Sequence, residues 1–388
     1  MRSHAVPHDS LRPALVTIAS VAGAGYLFLR VEAQWEVVAL ALAAVAALLA
    51  IGRTGWAARV SAGWSTRPAP LAAAAMLAGL TLIALFAEDH FALLMIATVM
   101  LYCVACLGLT VQFGYAGVVN FSGAAFFGVG GYTAAVLAGH PGVPHLLVLV
   151  LGGVFAGLLG SLLVLPLLRT RGHYAALITV AFAILFKTFL EVNDALGGPQ
   201  GLKVPGLRIL GWSFNDHIAL GEDLELSFYL AYALVSLLLL AGAYVLVRRL
   251  ERSWLGLSLD AVRIDETAAA VFGFEVARWK IFAFTFGNAL AGMAGALYAM
   301  MTGFVAPASF TLAESLIMVS IVILGGMGNP VGVLVAAVLV LVLPEKLQVI
   351  QEYRFLLFSL FVILVLLFRP EGLLPRRLRE YVPGWGRG

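Results

Sequence analysis

Charge is what this chain has least of. Asp, Glu, Lys and Arg together supply 12% of its 388 residues, about half the ~25% of an average soluble domain, which excludes a water-soluble globular protein. The net charge of +3, with its basic residues scattered over short connections, excludes a nucleic-acid partner, which would need them gathered on one face. Thiols are nearly absent. Cys103 and Cys106 are the whole inventory. They share a helix face, and with no second Cys pair and no His beside them they read as packing thiols. A G-x-x-x-x-G-K-[ST] phosphate loop is missing, and the chain has no Gly-Lys pair at all, so it carries no phosphate-cradling loop of its own. No serine, cysteine or carboxylate constellation supports intramembrane chemistry. The chain therefore reads as a non-enzyme with no cofactor and no catalytic or metal site.

What is present is apolar sequence. Hydrophobic residues make up 62% of the chain and the mean hydropathy is +1.00. Runs suited to a bilayer, which takes ~20 residues per helix, fall at 13–29, 35–51, 69–87, 91–111, 121–138, 145–168, 174–190, 227–247, 281–301, 314–327, 331–344 and 354–368. The expected fold is all-α, a polytopic membrane bundle of about 10–12 transmembrane helices. The runs at 314–327 and 331–344 are split by "GGMGNPVG" and could form one broken helix or two tilted ones. Arg2, Arg12 and Ala22-Gly23-Ala24 give the first run a signal-peptide look, but a second span follows almost at once, which favours a retained helix. With the N-terminus in the cytoplasm, 18 of the 24 Lys and Arg lie inside, and the opposite orientation inverts that bias. Both termini are thus expected in the cytoplasm, with 191–226 outside and 248–280 inside.

One inside segment interrupts the oil. "LSLDAVRIDETAAAVFGFEVARWK" (257–280) reads as an amphipathic helix with Leu259, Val262, Ala269 and Phe272 on its apolar side and Asp260, Arg263, Asp265 and Glu266 largely on the solvated side. Gly273 supplies a stop in a left-handed conformation, after which Arg278, Trp279 and Lys280 anchor the next span. Ala268, Ala269 and Ala270, followed by the glycine, form a surface that another protein could approach closely. A solvated connector lying on lipid headgroups is the competing reading.

"SWLGLSLDAVRIDE", "ETAAAVFG" and "ARWKIFAF" together resemble the cytoplasmic "EAA" loop of ABC importer permeases, in the form found in branched-chain amino acid permeases of the LivH/LivM type. In the general importer motif the acidic residue sits six before the glycine. Here Thr267 holds that place and Glu266 stands seven before Gly273, as in the LivH/LivM branch. "LTVQFGYAGVVNFSGAAFFGVGGYTAAVLAG" (109–139), "LGGPQGLKVPG" (196–206), "ILGGMGNPVG" and "LFRPEGLLP" resemble that family's other signatures, so the likeness covers about 100–375. Residues 1–67 stand outside it as an N-terminal transmembrane hairpin, a feature more typical of the LivM partner, ahead of a permease core at 68–388.

The resemblance implies a bacterial inner-membrane subunit whose loop docks into separate ABC ATPase subunits through Gly256, Asp260, Arg263, Asp265, Glu266, Ala268, Ala269, Ala270 and Gly273. It also implies a heterodimer with a second, LivH-like permease and delivery of substrate by a periplasmic binding protein. Branched-chain or related small amino acids are the implied cargo. A urea or short-amide permease of the same family is the nearest rival. An ion-driven secondary transporter is the alternative of a different class, disfavoured by the scarcity of intramembrane acidic residues.

Within the spans, the glycines at 114, 117, 123, 128, 130 and 131 suit close helix approach. Asn120 and Ser122, and Thr285 and Asn288 one turn apart in "FTFGNALAGMAG", are polar at membrane depth and are the candidates for lining a substrate pathway. Lys187 and Glu191 can pair along one helix face, and Glu314 suits an interfacial helix start.

Overall fold

The computed structural model describes residues 11–31, 68–140, 142–168, 170, 173–209, 212–214, 218–219, 225–346, 372–374 and 376, with scattered positions within 36–64 and 359–367. The described residues are helical almost throughout. Helices α1 (Leu11–Arg30), α2 (Pro68–Leu85), α3 (His90–Thr110), α4 (Gly123–Leu137), α5 (His145–Leu168), α6 (His173–Val192) and α7 (Tyr229–Arg252) lead to two short helices, α8 (Trp254–Ile264) and α9 (Glu266–Val271). The bundle resumes with α10 (Val276–Thr302), α11 (Leu312–Gly325) and α12 (Pro330–Lys346). Among the described residues seven helices are long and apolar enough to cross a membrane, and α2, α4 and most of α12 are shorter apolar helices. These ten match ten of the twelve expected spans; those at 35–51 and 354–368 lie mostly outside the described residues. The protein is a multi-pass membrane protein, and leucines such as Leu158, Leu162, Leu177 and Leu185 that stand exposed on α5 and α6 form its lipid-facing surface.

Helix α10 is the axis of the bundle and packs against α3, α4 and α5. It does so through glycines. A side chain at Gly287 would strike the Gly108 carbonyl of α3, one at Gly295 the Phe127 carbonyl of α4, and one at Gly292 the Gly152 carbonyl of α5, while Gly130 of α4 meets the Gly292 carbonyl. Among those singled out in the sequence, Gly130 on α4 and Gly114 at the end of α3 have this function; Gly114 lies against Gly328. In lipid, backbone proximity of this kind stands in for the hydrophobic effect.

The split run at 314–327 and 331–344 is resolved as two helices. Gly326 and Gly328 take positive φ values of 106° and 86°, conformations a side chain resists, and turn α11 back onto α12, where Gly325 lies against Gly332. Thr311 begins α11 by accepting the Glu314 N–H, and the Glu314 carboxylate accepts from the Tyr102 hydroxyl at 3.3 Å. Lys187 and Glu191 pair at 3.2 Å, and both cysteines are buried and free.

The connection between α6 and α7 covers one end of the bundle. Its strand Leu202–Lys203 pairs antiparallel with Phe304–Val305 after α10. The Tyr232 hydroxyl accepts from the Leu207 N–H at 2.8 Å and donates to the Met300 carbonyl at 3.1 Å, and His145 Nδ1 accepts the Arg208 N–H. The 253–275 segment lies at the other end of α7 and α10, so the two connections face opposite ways. On the N-terminal side, Trp64 is buried against Tyr244 and its carbonyl accepts from Arg248 and Arg252, while α1 packs on α2 and α12.

Exposed Lys203 and Thr267 report this arrangement. Single cysteines at Lys203 and at Thr267 should react with a membrane-impermeant maleimide from opposite faces, one in intact cells and the other only after lysis, with no background from the buried native thiols. Labelling of both from the same face would contradict the fold.

Candidate coupling loop and amide cluster

The expected single amphipathic helix at 257–273 is two helices. Gly256 permits the sharp return from α7, since a Cβ there would lie 2.5 Å from the Leu250 carbonyl oxygen. Helix α8 then buries Ser258, Leu259, Asp260 and Val262 and stops at Asp265. The backbone of Asp265 is extended and its carboxylate accepts the N–H groups of Thr267 and Ala268 at 2.8 and 3.0 Å, an N-cap that starts α9 in a new direction. Gly273 closes the loop at φ 85°, the expected left-handed stop, and Glu266 reaches Lys280 at the base of α10 at 2.6 Å.

This break rearranges the faces inferred from the sequence. Leu259, Val262 and Ala269 are buried, but Phe272, expected beside them, is 81% exposed, as are Val271 (82%) and Ile264 (69%). Ala269 is 4% exposed and faces this chain's own fold; Ala268 and Ala270 stay on the surface. Asp260 is not solvated. Its carboxylate takes both terminal nitrogens of Arg376 at 2.6 and 2.8 Å, with Arg263 at 3.9 Å. A helical wheel drawn through Asp265 carries the phase of α8 into α9, whereas the cap resets it, and the partner of Asp260 is more than a hundred residues away. Trp254 stands edge-on to Trp279 at 5.5 Å, over a hollow bordered by Ser258, Gly273, Phe274, Glu275 and Arg278.

Three of the four pathway candidates come together. Helix α3 ends in one π-turn (Val111–Tyr115), a wide turn often found at functional sites. It aims Gln112 inward, where Nε2 donates to the Phe284 carbonyl at 3.1 Å and to Asn288 Oδ1 at 2.9 Å. Asn120 Nδ2 donates to Gln112 Oε1 at 2.8 Å and to Asn288 Oδ1 at 3.1 Å. Asn120 Oδ1 in turn accepts from the backbone and hydroxyl of Ser122. All four amide hydrogens of Gln112 and Asn120 are therefore engaged, and the cluster is closed to solvent. The segment is held in place by Thr179, which accepts the Phe121 N–H, and by Ser315, which accepts the Ala124 N–H. Gln112, Thr179 and Ser315 escaped sequence reading, although Gln112 carries the same signal as Asn120, an amide in an apolar run.

Thr285 is the exception. It faces Gly157 of α5, and its buried hydroxyl has no hydrogen-bond partner among the described residues. Asn288 Nδ2 likewise has no partner among the described residues and lies against Gly160. The amide cluster and the loop adjoin. Between Gln112 and Asn120, Gly117 takes a φ of 66° beside Arg263, and the Gly114 carbonyl accepts from Arg376 at 3.1 Å. Among the described residues no group of three or more His, Cys, Asp or Glu could hold a metal ion.

Similarity to known proteins agrees with these features. Residues 91–368 match the family model described as branched-chain amino acid transport system / permease component. The chain is 37% identical over 290 residues to the high-affinity branched-chain amino acid transport system permease protein LivM of Escherichia coli K12, covering 71% of this chain and 68% of that one. It is 25% identical over 334 residues to a probable LivM of Methanocaldococcus jannaschii, covering 71% and 91%, and 22% identical over 297 residues to LivH of E. coli K12, again covering 71% and 91%. No solved structure matches. With the family match spanning the glycine-rich helices, the loop and the α11–α12 turn, this chain belongs to the permease components of branched-chain amino acid transport systems.

Proposed function

We propose that the chain is the LivM-like half of a heterodimeric ABC importer in the bacterial inner membrane, carrying branched-chain or related small amino acids. Separate ATPase subunits bind the loop, a second permease completes the channel, and a periplasmic binding protein docks on the connection over the opposite end. The observation that carries this reading is the apolar tip of Ile264, Val271 and Phe272, which has no cover among the described residues and projects from a rigid, doubly capped loop, as suits a helix-in-groove contact. The permease core at 68–388 supplies the pathway, helix α1 of the 1–67 extension packs beside it, and both termini face the ATPase. The relatives' names favour amino acids over urea or amides.

The amide cluster serves as the closed inner gate. Its groups are neutral, and each hydrogen bond is worth about 1 kcal/mol net, so parting them for a small polar solute is reversible. When nucleotide binding moves the ATPases, the loop tilts α7 and α10 and opens the cluster.

Two outcomes follow. Phe272→Glu should leave membrane abundance normal while cutting ATPase co-purification and uptake by roughly tenfold or more, because an unpaired charge buried at an interface costs several kcal/mol. Ala269→Glu should instead lower abundance, since it forces a charge into the loop's own packing. Phe272→Glu with full uptake and ATPase still bound would refute the docking role.

In the gate, Asn288→Leu removes the shared acceptor of Gln112 and Asn120 and should destabilise the purified chain by about 1–2 kcal/mol, with reduced uptake. Thr285→Val should transport within about twofold of the parent protein, as it deletes a hydroxyl that has no hydrogen-bond partner among the described residues. Equal effects of the two substitutions in melting and uptake measurements would remove Asn288 from its assigned place.

A further inference from the structure

We infer that Arg376 is a positioning residue that ties the coupling loop to the gate, so that movement of one is transmitted to the other. The inference rests on the proposed function. The guanidinium is 8% exposed and holds the Asp260 carboxylate, 12% exposed, in a two-point contact. The same Nη1 donates to the Gly114 carbonyl of the π-turn at 3.1 Å. The Tyr115 ring lies beneath the guanidinium, 4.2 Å from centroid to Cζ, and Glu251 at the end of α7 stands 3.8 Å from Nε. Gly328, in the α11–α12 turn, is glycine where a Cβ would press on the arginine's Cδ. One side chain thus meets α8, the end of α3, the end of α7 and the α11–α12 turn.

The segment that carries it is strapped down. Leu373 and Leu374 donate backbone N–H groups to the carbonyls of Leu324 and Gly325, and Asn329 Nδ2 donates to the Leu374 carbonyl. The arginine is therefore presented from a fixed base on the α11–α12 turn.

A buried ion pair is a poor source of stability but a strict source of geometry, because its planar fork matches a carboxylate in few orientations. Here it also grips the backbone of the turn that carries Gln112. Asp260 cannot shift with the loop unless Arg376 and Gly114 shift or the contact breaks, and Gly114 is two residues from the amide that closes the gate. The coupling element is contiguous and each contact in it is discrete, so a shift at one end bears directly on the next contact.

The test uses the complete transporter in proteoliposomes, with its ATPases, its binding protein and leucine as the probe, measuring ATP hydrolysed and leucine imported. Arg376→Lys and Arg376→Gln should keep membrane abundance, bound ATPase and most hydrolysis, yet import roughly tenfold fewer leucine molecules per ATP, as expected when a charged hydrogen-bond pair is lost. The exchange Asp260→Arg with Arg376→Asp should recover part of that ratio. An unchanged ratio in Arg376→Lys overturns the inference. So does a fall of uptake and hydrolysis in proportion to abundance in both variants, which would make the contact a staple for folding alone. Failure of the underlying reading looks different: Phe272→Glu would then keep its ATPase and its uptake, or the unaltered chain would show no ATP-dependent import.

Discussion

Lipid tails are as apolar as leucine, so the helices of this chain cannot be driven together by the hydrophobic effect that builds a soluble core. Helix α10 is held against three neighbours by direct backbone approach, at Gly287 to Gly108, Gly292 to Gly152 and Gly295 to Phe127. Contact at that range leaves no slack. It excludes water from the interior, which is why the few polar groups there must satisfy one another, and it makes α10 a stiff rod between the loop at one end and the cap at the other.

The amide cluster is one product of that exclusion. In a dry site an unpaired amide costs about 1–3 kcal/mol, and Gln112, Asn120, Asn288 and Ser122 bond to one another between α3, the α3–α4 connection and α10, leaving Asn288 Nδ2 without a partner among the described residues. The set is neutral, so it avoids the larger cost of burying ions. The charges are placed at the loop end, where Arg248, Glu251, Asp260, Arg263 and Arg376 form a mixed-sign network near the edge of the bundle. Polar contacts thus run from the surface of the loop to the π-turn and, through its backbone, into the bundle.

The loop itself is fastened at several points. Asp265 caps its second helix, Gly273 closes it, Glu266 fastens it to Lys280, and Asp260 fastens it to Arg376. Its tip nevertheless exposes three large apolar side chains. Such a base suits the proposed docking role, since a flexible element would absorb a partner's movement instead of passing it on.

Much of the fold was legible in the sequence, because length and apolar content determine whether a segment spans lipid, and both are local properties. The ten described spans, the division of the 314–344 region at its glycines, the left-handed Gly273, the buried cysteines and the Lys187–Glu191 pair all follow from residues within a few positions of each other. Asn120, Ser122 and Asn288 were legible as a class, since a polar side chain in an apolar run needs a partner. Their mutual pairing, the exclusion of Thr285 from it and the part taken by Gln112 depended on which faces of α3 and α10 meet. The loop shows the same limit at short range: one side-chain cap at Asp265 resets the helical phase and sends Phe272 out while Ala269 turns in. Asp260 shows it at long range, solvated on a helical wheel and buried in the molecule, because its counter-ion comes from a segment 116 residues later. Local pattern records what a segment requires of its surroundings, and only the folded chain decides which distant group meets that requirement.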